Sequence, residues 1–306
     1  MIESIQEIRR RSEEGEKSFW EVIMEDDCSE RGIQEKTSIA DIEKMWQAMK
    51  DSDEQYDPAL KSASGMIGGE GAKMEAYAKE GEPLCGEFMA GVMARALKVA
   101  SSNACMKRIV AAPTAGSCGV LPAVLISLHN RFGFSDKQMV RALYVAGGIG
   151  GVIAARASLA GAEGGCQAEV GSASAMAAGA AVYLMEDRKI DHDNVQTVGV
   201  DYTEMNEAIG SAVALSLKNL LGLACDPVAG LVEVPCVKRN VIGAMNAMSA
   251  ADMAIAGIRS VIPPDEVIDA MGRVGRQLPE GIRETALGGM AMTPTGMRIK
   301  KEFLGG

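Results

Sequence analysis

The run Ala168-Glu-Val-Gly-Ser-Ala-Ser-Ala-Met-Ala-Ala-Gly-Ala-Ala-Val-Tyr-Leu-Met-Glu186 carries charge only at its two ends, Glu169 and Glu186. Alanine is the best helix former, whereas a strand would want Val, Ile, Thr and aromatics in alternation. The run therefore predicts a buried helix over 168–186, and working outward from it the same pattern recurs. Residues 204–221 read as a second Ala-rich buried helix. Phe88, Met89, Val92, Met93 and Leu97 stand at helical spacings within 84–100. Ser135-Asp-Lys-Gln138 is a capping box opening a helix through Val140, Leu143 and Tyr144. Pro264-Asp-Glu starts another, with Val267, Met271 and Val274 inward. Near the N-terminus, Ser38-Ile-Ala-Asp41 reads as an N-cap, followed by Ile42, Met45, Trp46 and Met49 on one face. The expected fold is all-α, a compact bundle of roughly ten helices.

Composition agrees. Aromatics are 4% of the 306 residues, against 35 glycines and 20 methionines. The 31 Lys+Arg and 41 Asp+Glu leave a net charge of −10, so no basic stripe is expected to bind nucleic acid. The opening MIESIQEIRRRSEEGEK is not a secretory signal, and the uncharged apolar runs 142–155 and 170–185 are shorter than the ~18–20 residues of a membrane span. A cytoplasmic protein without a membrane partner is the expectation. The polar break Ser52-Asp-Ser-Asp-Glu-Gln-Tyr-Asp-Pro58 suggests an N-terminal helical arm, 1–55, ahead of a main body, 56–306.

Between the helices lie glycine-rich segments: Ser64-Gly-Met-Ile-Gly-Gly69, Ala112-Pro-Thr-Ala-Gly-Ser-Cys-Gly119, Gly161-Ala-Glu-Gly-Gly-Cys-Gln167, Leu223-Ala-Cys-Asp-Pro-Val-Ala-Gly230 and Ala286-Leu-Gly-Gly289. Each alone could be a tight turn; together they favour loops converging on one central site. The seven cysteines divide by context. Cys28, Cys85, Cys105 and Cys118 read as structural. Cys166, Cys225 and Cys236 each lie beside a Gly- or Pro-containing turn, where backbone N–H groups can face a thiolate. Their spacing lacks the paired C-x-x-C of a zinc ribbon, and by itself leaves open whether they hold three corners of a 4Fe–4S cluster.

The wording of four segments is more specific. Residues 112–124 (APTAGSCGVLPAV), 164–172 (GGCQAEVGS), 223–240 (LACDPVAGLVEVPCVKRN) and 283–296 (RETALGGMAMTPTG) closely resemble the alpha chain of bacterial iron–sulfur L-serine dehydratases. The resemblance runs from about Ser62 to Gly296. It implies deamination of L-serine to pyruvate and ammonia by an oxygen-sensitive 4Fe–4S cluster on Cys166, Cys225 and Cys236, without pyridoxal phosphate. The family's single-chain members carry an N-terminal domain with a Ser-Ser-His-Thr type motif, which is absent here, so a separate beta subunit is expected. Some relatives also end in a tail cysteine, which this sequence lacks.

For the substrate carboxylate the expected donors are Ser64, Gly65, Thr114, Ala115, Gly116 and Ser117, with Thr293 and Thr295 as a further group. Ser64 and Lys73 are the candidate catalytic side chains, Lys73 as base or counter-charge, against the alternative of a solvated helix-face lysine. Arg283 reads either as a carboxylate ligand or as a partner of Glu284. His129 reads as a contact at a helix end, and His192 as surface. The general base is not identified. Two other functions remain open: a cluster-dependent L-cysteine desulfidase, and a cluster-bearing subunit inactive without its beta partner.

Overall fold

The computed structural model describes residues 2–190 and 201–305. Thirteen helices follow in order: α1 (Ile5–Gly15), α2 (Phe19–Arg31), α3 (Glu35–Glu54), α4 (Glu70–Glu80), α5 (Gly86–Ala104), α6 (Val120–Phe132), α7 (Asp136–Arg156), α8 (Gly161–Gly164), α9 (Ser172–Asp187), α10 (Thr203–Asn219), α11 (Cys236–Ile255), α12 (Pro264–Gln277) and α13 (Pro294–Leu304). Among the described residues the only β pairing is an isolated parallel bridge between Cys225 and Arg283. The fold is all-α, as the periodicity predicts.

The Ala-rich helix is the centre. Fourteen residues of α9, from Ser172 to Asp187, are buried, and it packs against α6, α7, α10 and α11. A helix apolar all round can exist only where neighbours cover every face. α7 is long and apolar enough to cross a membrane by length and composition, but 61% of that stretch is buried inside the protein, the signature of a core helix. Residues 167–171, ahead of α9, form a π-helical turn rather than the α-helix expected. Such a turn widens the helix by one residue and is often found at functional sites.

The helices of the N-terminal segment share the same hydrophobic core: Ile5, Ile8, Phe19, Val22, Trp46 and Met49 belong to it together with Leu121, Ile149 and Tyr183. The carboxylate of Asp265 on α12 accepts from the Ile5 and Gln6 amides at 2.8 and 3.0 Å, capping α1 from the far end of the sequence. Trp46 donates its indole N–H to Asp136 at 2.7 Å. Ser38 is not the expected N-cap. α3 starts a turn earlier, and the buried Ser38 hydroxyl instead donates to Asp27 and meets Tyr144, each at 2.6 Å. Of the predicted stripe, Trp46 and Met49 are buried but Met45 is exposed.

Small residues set the helix separation. At Gly119, a Cβ would stand 2.5 Å from the Ala96 carbonyl oxygen and 3.1 Å from Asn240 Oδ1, backbone and a fixed amide that cannot swing away. At Gly147, inside α7, a Cβ would meet nothing within 4 Å. Gly119→Ala should therefore cost about 2 kcal/mol, lowering the melting temperature by several degrees, whereas Gly147→Ala should be neutral or stabilising by up to ~1 kcal/mol. Thermal denaturation of the two variants side by side checks this pair.

Candidate functional site

Four loops bring the site together. The first, 112–119, ends in a short 3-10 turn, Ala115–Ser117, and is held by Asn240 in the first turn of α11. Asn240 is buried; its Nδ2 donates to the Gly116 carbonyl at 2.8 Å and its Oδ1 accepts from the Gly119 amide at 2.8 Å. The second loop carries Cys166 at the mouth of the π-helical turn. Gln167 fixes it through three elements: its Oε1 accepts from the Gly222 amide, its Nε2 donates to the Met271 carbonyl, and its own amide donates to the Leu223 carbonyl. The third loop runs from Cys225, whose bridge to Arg283 consists of Cys225 N–H to the Ile282 carbonyl at 2.8 Å and Glu284 N–H to the Cys225 carbonyl at 2.7 Å. The fourth, 286–296, is tied down where the Met290 amide donates to Asp226 Oδ2 at 2.8 Å.

Cys166, Cys225 and Cys236 are all buried, and they lie close enough together to raise one another's thiols. Burial pushes the Cys166 thiol up to about 11 and the Cys236 thiol to about 12. Cys225 is raised as well, by burial first, then by the Glu169 carboxylate and the other two cysteines. Each thiol would resist ionisation unless a cation stood beside it. Among the described residues, no set of three or more His, Cys, Asp or Glu side chains is gathered as ligands of a single metal ion would be.

Glu169 sits among these thiols. Its Oε1 accepts from Thr114 Oγ1 at 2.7 Å, and its Oε2 lies 3.8 Å from Cys225 Sγ. Burial holds its carboxyl above the usual carboxylate range, partly offset by the Thr114 hydrogen bond. The 112–119 loop can approach it because Gly116 has no Cβ, which would stand 2.9 Å from Oε1. The balancing positive charge is Arg239, one helical turn after Cys236. Its guanidinium donates to the Ala224 carbonyl at 2.5 Å and to Asp226 Oδ1 at 2.8 Å, and its charge lies close to Cys166. Burial opposes its charge, but Cys166 and Asp226 hold it on. Three buried thiols, with one carboxylate and one guanidinium that are half-buried, thus lie together.

The expected site residues divide by location. Thr114 and Gly116 face Glu169; the buried Ser117 hydroxyl turns back toward Thr114; Ala115 is exposed, its carbonyl accepting from Asn103. Ser64 lies one residue removed from the thiols. It donates to the buried Glu233, which also accepts from Ser62 at 2.7 Å, and Glu233 sits three residues before Cys236. Gly65, at φ +76°, makes the turn of that loop. Lys73 stands exposed on α4. Thr293 caps α13, accepting from the Gly296 amide at 3.1 Å and donating to the Met290 carbonyl at 2.9 Å, while Thr295 is exposed in the first turn of α13. His129 packs edge-on against Trp46, 5.6 Å between ring centroids, at the far end of α6. His192 lies outside the described residues. The buried Cys118 is held up to about 12 by burial alone in effect, and Cys85 is exposed at the start of α5.

Glu169, Arg239, Asn240 and Gln167 are functional-site residues that motif reading passed over. The available signals were Glu169 as a lone carboxylate heading an apolar run and Arg239 at i+3 from Cys236, on the same helix face.

Comparison with known proteins places the chain in a family. A family model described as serine dehydratase alpha chain matches residues 14–291. A probable L-serine dehydratase alpha chain of Bacillus subtilis (strain 168) is 47% identical over 247 residues, 81% of this chain and 77% of that protein. The L-serine dehydratase alpha chain of Peptoniphilus asaccharolyticus is 43% identical over 239 residues, 78% of this chain and 76% of that one. A probable L-serine dehydratase alpha chain of Latilactobacillus sakei is 48% identical over 219 residues, 72% of this chain and 97% of that one. With its helices, its loops and its three buried cysteines all inside or beside the matched span, the chain belongs to the serine dehydratase alpha chain family.

Proposed function

We propose that this chain catalyses the deamination of L-serine to pyruvate and ammonia, with Cys166, Cys225 and Cys236 holding a 4Fe–4S cluster. The observation that carries the cluster reading is the burial of three mutually close thiols beside a single guanidinium. Protons or a cationic group must neutralise such thiols, and a cluster presents a separate iron to each thiolate instead of asking all three to converge on one ion. The donor set therefore fits the group. When bound, the cluster supplies an open iron that acts as a Lewis acid on substrate oxygen.

The remaining work falls to the chain's own residues. The β-hydroxyl of serine is a poor leaving group and the Cα proton is weakly acidic, so both need help in one transition state. Glu169 is the carboxylate this chain offers for the Cα proton, taken up at Oε2, the oxygen not engaged by Thr114. Thr114 holds Glu169 in place through its hydroxyl, and Arg239 offsets negative charge as it builds. Loss of water gives aminoacrylate, which tautomerises to the imine; water then releases ammonia and pyruvate. With the Thr114 hydroxyl committed to Glu169, Gly116 and Ser117 are the donors we assign to the substrate carboxylate. Ser64 acts through Glu233, on the loop that carries Cys236. Lys73, Thr293 and Thr295 have no part in the reading.

The relatives are named alpha chains, and on that ground we place this chain in a complex with a separate beta subunit. The seven unpaired cysteines suit a reducing compartment, which favours the cytoplasm.

Cys166→Ala, Cys225→Ala and Cys236→Ala should each fold yet lose the cluster, whereas Cys28→Ala and Cys85→Ala should keep it. Iron and acid-labile sulfide per chain after anaerobic purification measure this, and an unchanged iron content in any of the first three removes that residue from the ligand set. Glu169→Gln keeps the Thr114 hydrogen bond but cannot take a proton. It should retain iron while turnover falls at least ~100-fold, read by pyruvate formation; full activity would dismiss Glu169 as the base.

A further inference from the structure

A cavity of about 310 Å³ lies between the end of α7, α8 and α12, and none of the three cysteines lines it. Its lining includes Arg276 and Arg283. α8 stands between this cavity and the cysteines. At Gly161 a Cβ would point toward the thiols, 2.7 Å from Glu169 Oε2 and 3.1 Å from Cys225 Sγ, while Ala162, Glu163 and Gly164 line the cavity.

The other polar groups here are already engaged. Both ends of the Gln167 amide are used, on Gly222 and Met271. Glu163 Oε2 accepts from Ser158 at 2.7 Å. Asp269, the acidic side chain of α12 nearest the end of α7, is taken by Arg156 at 2.7 Å. The two arginines are different. Arg283 enters the bridge to Cys225 through its backbone alone, and its Nε is buried with no hydrogen-bond partner. A buried guanidinium edge without an acceptor is costly, and a guanidinium fork matches a carboxylate in geometry. Two arginines against one glutamate leave a formal charge near +1, suited to a monoanion, and the volume admits only a small molecule.

We propose that this cavity binds a small monocarboxylate between Arg276 and Arg283, separate from the three cysteines and in contact with them through α8. The serine dehydratase reading enters only in the choice of ligands to try: the carboxylate belongs either to the substrate, L-serine, or to the product, pyruvate.

Equilibrium dialysis of the anaerobically purified protein with radiolabelled pyruvate, L-serine and inorganic phosphate tests it. The comparison is wild type against Arg276→Gln, Arg283→Gln and Cys225→Ala, with melting curves showing that each is folded. One equivalent of a carboxylate should still bind Cys225→Ala, and each arginine variant should weaken that binding at least tenfold. Arg276 is exposed, so its variant tests the site even if Arg283→Gln does not fold. Whichever of pyruvate and L-serine binds Cys225→Ala identifies the source. Binding unchanged in Arg276→Gln, binding lost in folded Cys225→Ala, or phosphate binding without either carboxylate would each overturn the proposal. Iron per chain, measured on the same samples, reports on the cluster reading independently.

Discussion

A guanidinium largely removed from water must be paired on most of its edges, and Arg239 meets that demand on one loop while its charge faces another. It holds the Ala224 carbonyl and the Asp226 carboxylate on either side of Cys225, and its charge lies close to Cys166. Asp226 in turn holds the Met290 amide. One half-buried charge thus ties the Cys225 loop, through Asp226, to the C-terminal loop, and it stands on the same helix as Cys236. Removing it would leave Asp226 buried and uncompensated, a loss of several kcal/mol that would fall on the site itself. The positive charge that makes the site hospitable to sulfur is also what keeps these two loops together.

Two buried amides do similar work for backbone that no sheet supports. A loop inside a helical protein cannot pair its N–H and C=O groups along a ladder, so side chains must satisfy them. Asn240 serves both ends of the 112–119 turn, and Gln167 serves the π-helical turn, the 220–223 connection and α12. Carboxamides suit this because each offers donor and acceptor without a charge to bury. Such pinning explains how glycine-rich segments with little intrinsic preference become a defined pocket.

The helices were legible because burial writes itself into the period of the sequence. α7, α9, α10 and α12 stand within a few residues of where spacing and caps put them. Ser38 and Glu169 were hard to read for one cause, a partner distant in the sequence. Ser38 has the chemistry of a cap but spends its hydroxyl on Asp27 and Tyr144, the latter 106 residues away. Thr293 looks like a substrate donor and caps α13. Lys73 is exposed, a choice between solvent and site that local sequence cannot make. Glu169 went unnoticed because a carboxylate at the head of an apolar run means little until Thr114, 55 residues earlier, is found beside it. The three cysteines were separable from the other four by their turns, but that they lie close together is a property of the fold.

The state of the thiols bears on how the site is filled. Held near 11 and 12 by burial, Cys166 and Cys236 are neutral at physiological pH without a cation, so they impose little repulsion on the folded chain. The loops that carry them are tied by Arg239, Asn240 and Gln167, none of which needs a metal to make its hydrogen bonds. This differs from small zinc domains, where ligands are brought together only by the ion and the apo chain is unfolded. Here the core around α9 supplies the stability. On the proposed cluster reading, inserting iron would exchange thiol protons for metal among ligands already gathered, so the cost of gathering them is met during folding and the binding free energy goes to retention.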